Sequence, residues 1–95
     1  MILQGHANNH TLKITLREYG GFFVSNELVR LIHKERGQET VTTGTSDVQG
    51  VVTFNVILPN DPTTTFELEA RGKRLGPIVL NRNKPSTSLT YRVSR

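Results

Sequence analysis

What most constrains this chain is a rhythm of two. In LKITLR, Leu12, Ile14 and Leu16 fall on one side of an extended backbone and Lys13, Thr15 and Arg17 on the other. VTFNVIL repeats the pattern with Val52, Phe54, Val56 and Leu58, FELEAR with Phe66, Leu68 and Ala70, and SLTYRV with Leu89, Tyr91 and Val93. Side chains of a strand alternate between its two faces, so each segment predicts a strand with one face buried. The expected core is Leu12, Ile14, Leu16, Val52, Phe54, Val56, Phe66, Leu68, Leu89 and Tyr91.

Breaks fall between these runs at short, regular spacing: YGG at 19–21, RGQ at 36–38, SDVQG at 46–50, PNDP at 59–62, RGKRLG at 71–76 and NRNKPS at 81–86. They divide the chain into about seven short strands. Seven strands in 95 residues predict an all-β fold, a single antiparallel two-sheet sandwich of Ig-like or fibronectin-like type. The patternless residues 1–10 are expected as a loose lead-in, and 11–95 as the domain.

One segment reads two ways. SNELVRLIHKERG offers Ser25 or Asn26 as a helix cap, Leu28, Leu31 and Ile32 at helical spacing, and Gly37 as a stop. It also alternates, as a strand covered on both faces would. The strand is preferred, because a sandwich needs a partner here and Val and Ile suit a sheet; a helix over residues 26–36 stays open.

Composition excludes several chemistries. Apolar residues make up 35% and charged residues 21%, enough to fold one core. Cysteine is absent, which removes disulfides, thiolate metal sites and thiol nucleophiles. No apolar run approaches the roughly 18 residues of a membrane span, so no membrane insertion is expected. His6 and His10 stand four apart, but GHANNH is a poor helix and gives no metal pair; His33 reads as a half-buried strand residue. No serine or threonine sits in a nucleophile elbow or phosphate loop. No enzyme activity, cofactor or metal is expected.

Asp47 and Gly50 are expected to shape a tight turn between two strands. A carboxylate can accept backbone N–H bonds just downstream, and glycine supplies a backbone conformation that a side chain would strain. The charge, net +4, is uneven. From residue 71 onward come Arg71, Lys73, Arg74, Arg82, Lys84, Arg92 and Arg95 with no acidic residue. Such a strip suits an acidic polymer, or simply guards a sheet edge. A polyanion site would use Arg71, Lys73, Arg74, Arg82 and Lys84, from two loops expected at one end of the sandwich; only Tyr91 interleaves with these charges, whereas nucleic-acid platforms carry more aromatics. Asn9 opens the triplet Asn-His-Thr, a glycosylation acceptor in a secreted setting.

The spacing of Thr45, Asp47, Gly50 and Phe54 resembles a pattern found in many extracellular Ig-like sandwiches, among them bacterial adhesin repeats and macroglobulin domains. GGFFVSNELVRLI is similar to the hairpin and strand of macroglobulin domains in the alpha-2-macroglobulin, complement and thioester-protein superfamily. KPSTSLTYRVS is similar to their closing strand. The likeness covers about residues 11–95 and is strongest to the fourth domain of that series, although Phe22 or Phe23 stands where the family usually has proline. It implies a scaffold domain of a large secreted or cell-surface protein, packed against neighbouring domains of its parent chain and contacting a partner protein. The adhesin-type repeat is the alternative from the same resemblance.

Overall fold

The computed structural model describes residues 8–94, and within them every regular element is a strand: β1 (Asn8–Arg17), β2 (Leu28–Glu35), β3 (Gln38–Thr45), β4 (Val51–Leu58), β5 (Thr63–Ala70), β6 (Lys73–Asn81) and β7 (Ser86–Arg92). A three-stranded sheet, β4-β1-β7, packs on a four-stranded sheet, β3-β2-β5-β6. The sandwich is as expected in class, with one departure. β1 and β7 run parallel, in register from Thr11 opposite Ser86 to Arg17 opposite Arg92, while all other pairs are antiparallel.

Between the sheets lie the inward residues of each alternating run. Leu12, Ile14, Leu16, Val52, Phe54, Phe66 and Leu68 are buried, joined by Val29, Leu31, Ile78 and Leu80; Val56, Leu89 and Tyr91, which lie farther out, are only partly buried. At about 1.5–3 kcal/mol for each large aliphatic or aromatic side chain removed from water, this cluster is the main stabilising term.

β2 resolves the ambiguous segment as a strand. Its second face is covered because Ile32, buried on the outer side of the four-stranded sheet, stands beside cross-strand ion pairs, Arg30 to Glu69 at 2.8 Å and Arg74 to Glu67 at 3.6 Å. Register explains the rest: Ile32 lies opposite Val41 on β3 and Glu67 on β5. Apolar residues on both faces erase the simple alternation.

Two hairpins, β2–β3 and β5–β6, turn on Arg-Gly pairs with positive φ at both residues, 51° and 79° at Arg36 and Gly37, 56° and 71° at Arg71 and Gly72. That is the two-residue turn whose twist matches paired strands. The break expected over residues 71–76 is therefore shorter. β6 already starts at Lys73, and Leu75 is an extra residue between Arg74, opposite Glu69, and Gly76, opposite Leu68; Pro77 follows, tolerated because β6 is an edge strand. β1 likewise starts at Asn8, so the domain boundary expected at residue 11 falls inside a strand; residues 1–7, with His6, lie outside the described residues.

Candidate functional site

The strand directions bring four chain segments to one end of the sandwich: the β1–β2 connection (18–27), the turn 46–50, the hairpin at Arg71 and Gly72, and the residues after β7. The turn 46–50 is built by Asp47. Its Oδ1 accepts the N–H groups of Gln49 and Val51, both at 2.9 Å, and its main chain exchanges bonds with Gly50 and Val51. Gly50 has φ of 76° and is buried against β1: the Leu16 N–H donates to its carbonyl at 2.8 Å, and a Cβ there would sit 2.5 Å from the Leu16 carbonyl oxygen.

Ser46, which the sequence did not single out, fixes the neighbouring loop. It is 4% exposed, its hydroxyl donates to the Val24 carbonyl at 2.7 Å, and it accepts the Glu27 N–H at 2.8 Å. Main-chain bonds from Asn26 N–H to the Ser46 carbonyl and from Ser46 N–H to the Glu27 carbonyl complete the clasp. Beyond it, residues 17–23 form a small hairpin closed by the Arg17–Phe23 bridge and by bonds from Glu18 N–H to the Phe22 carbonyl and Gly21 N–H to the Glu18 carbonyl. This hairpin carries three exposed aromatics: Tyr19 at 70%, Phe22 at 73%, and Phe23, whose ring lies 4.8 Å from the Arg17 guanidinium carbon.

Beside Tyr19 opens a cleft of about 280 Å³. It is lined by the cations Arg71, Lys73, Arg74 and Arg92 and by Ala70, Leu75, Tyr91 and Val93, of which Ala70 and Val93 are buried and Leu75 and Tyr91 half-buried. The cations are held in place. Arg71 pairs with Glu27 at 2.7 Å and donates to the Ser94 carbonyl; the Lys73 ammonium donates to the Ser94 hydroxyl at 3.0 Å; Arg92 donates to the Tyr19 carbonyl at 3.4 Å. Burial raises the pKa of the Tyr91 phenol above its ordinary value, so the hydroxyl stays neutral and able to donate.

The five basic residues expected to act together are divided. Lys73 and Arg74 start β6 and Arg71 lies in the turn just before it, whereas Arg82 and Lys84 follow its far end. A nine-residue strand separates them by about 27 Å, and Arg82 is bonded to the Asn60 carbonyl at 2.7 Å. The expectation that both loops share one end fails because they flank the single strand β6 and so emerge at its opposite ends. Arg92 and Tyr19 take the places of Arg82 and Lys84 at the cleft.

The remaining candidates are structural in placement. His10 is 1% exposed, its Nε2 sharing a 2.8 Å hydrogen bond with the Thr87 hydroxyl while Nδ1 has no partner. His33 donates through Nδ1–H to the Thr65 carbonyl at 3.3 Å, with its ring 5.1 Å from that of Phe66. Asn9 lies on β1 opposite Ile57, exposed. Among the described residues no three His, Cys, Asp or Glu side chains are grouped to hold a metal, and no helix is long and apolar enough to cross a membrane.

No family model matches the chain, and no curated protein matches it. Among solved structures it is similar to the major pilin subunit of Bacillus cereus, with TM-score 0.61 and 16% identity over 99% of this chain and 31% of that one. It is also similar to the Bacillus anthracis TIE protein, with TM-score 0.66 and 14% identity over 99% of this chain and 18% of that one. The class defined by the sheets and these neighbours is an Ig-like β-sandwich. The macroglobulin resemblance gains no support from these comparisons.

Proposed function

We propose that this chain is a non-enzymatic Ig-like module of the adhesin or pilin type, one building block of a larger cell-surface protein. The observation that carries the reading is the pairing of near-complete coverage of this chain with partial coverage of its neighbours: it spans under a third of each of those two structures. In such a protein the unit serves as a rigid spacer and presents loops from one end, and a packed sandwich with internally bonded turns suits that task. The macroglobulin-type scaffold rests on sequence resemblance alone and is the weaker of the two readings.

The test is location in the native host. Antibodies raised against the folded domain should label intact cells, and brief protease treatment of those cells should remove the signal. A signal confined to the cytosolic fraction would overturn the assignment.

A further inference from the structure

We infer that the cleft between the β5–β6 hairpin and the end of β7 binds an acidic sugar residue of an anionic polysaccharide. The cleft exists whether or not the chain is surface-borne, so the inference does not depend on the assignment above.

Charge is the first argument. Four cations line the cleft, and the carboxylates bonded to them answer two, Glu27 on Arg71 and Glu67 on Arg74. Lys73 and Arg92 are bonded to neutral oxygens, the Ser94 hydroxyl and the Tyr19 carbonyl. Those bonds hold the cationic groups at the cleft without cancelling their charge, which is the arrangement an incoming sulfate or carboxylate needs.

Shape is the second. A pyranose ring is amphipathic, with C–H groups on its faces and polar substituents at its rim. The cleft's lining has both kinds of surface: Val93 is buried and Leu75 and Tyr91 half-buried, whereas Lys73, Arg74 and Arg92 are exposed and Tyr19 has most of its surface free. Aromatic side chains with one apolar body and one polar tip are suited to such surfaces.

The layout also argues against the two rival polyanions. Single-stranded nucleic acid is gripped by a groove that tracks successive phosphates over several nucleotides, yet Arg82 and Lys84, the next basic cluster along the chain, lie a strand's length away. A bilayer would be met by the exposed Phe22 and Phe23 of the neighbouring hairpin, neither of which lines the cleft. Arg71, Lys73 and Arg74 are legible in the sequence as candidate polyanion contacts, but Tyr19 and Arg92, 73 residues apart, are not.

The experiment is an amide-resolved NMR titration of the domain with a heparin tetrasaccharide. Shifts should concentrate at Tyr19, Gly72 to Leu75 and Tyr91 to Ser94. The double variant Lys73→Ala/Arg92→Ala should weaken binding at least tenfold, while Arg82→Ala/Lys84→Ala, with the same change in net charge, should weaken it less than twofold. Tyr19→Ser, which leaves charge untouched, should weaken the tetrasaccharide severalfold. Amide spectra of each variant check that the fold persists, and Arg71 is kept because its bond to Glu27 is structural. Equal losses in the two double variants, tighter binding of oligo-dT or phosphatidylserine vesicles than of the tetrasaccharide, or inorganic sulfate binding as well as the sugar would each overturn the inference.

Discussion

Replacing Gly50 by alanine tests how the turn after β3 is locked onto β1. Two terms follow from the geometry. An L-residue held at φ of 76° costs roughly 1–2 kcal/mol, and a Cβ placed 2.5 Å from the Leu16 carbonyl oxygen forces the segments apart. Parting them breaks the bond from the Leu16 N–H to the Gly50 carbonyl, a loss of about 1 kcal/mol. Gly37→Ala is the control, since φ there is 79° with nothing within 4 Å of a built Cβ. It should carry the conformational term alone. Gly50→Ala should therefore exceed Gly37→Ala by at least ~1 kcal/mol, or about 4–8 °C in melting temperature for a domain this small. Urea unfolding followed by circular dichroism reads the difference as a lower midpoint at unchanged slope. Coincident midpoints for the two variants would refute the close-approach argument.

Asp47→Ala removes the acceptor of two backbone N–H groups and should destabilise by about 1–2 kcal/mol, whereas Asp47→Asn, which keeps an oxygen in place, should cost less than half as much; equal losses in urea melts would show that charge and not acceptor geometry holds the turn. Thr87→Val strips His10 Nε2 of its partner in a buried site and should cost about 1–3 kcal/mol, with much of it recovered in the double variant His10→Phe/Thr87→Val; a double variant no better than the single would refute the pairing.

The strands that were plain in the sequence are those with one wet face. β1, β4 and β5 alternate because a single layer of core lies on one side of each. β2 blurred because Ile32 is buried on the opposite face from Val29 and Leu31, and periodicity alone cannot separate a doubly covered strand from a helix. The start of β6 is hidden because RGKRLG at 71–76 carries two glycines and reads as a turn, when only Arg71 and Gly72 make the turn and Leu75 is an extra residue on an edge strand. Asp47 and Gly50 were legible since turn chemistry is local. The cleft as a whole was not, because it joins residues from the β1–β2 connection, the start of β6 and the end of β7. Its exposed aromatic, Tyr19, lies far from the basic strip in sequence, and only the parallel pairing of β1 with β7 sets them side by side.

That parallel pair also has a mechanical meaning. Entering strand and leaving strand are neighbours that point the same way, so the backbone comes in at one pole and goes out at the other. Tension applied through the chain would slide β1 and β7 past each other lengthwise. The rungs from Thr11 and Ser86 to Arg17 and Arg92 would then bear load together, instead of opening one after another like a zip.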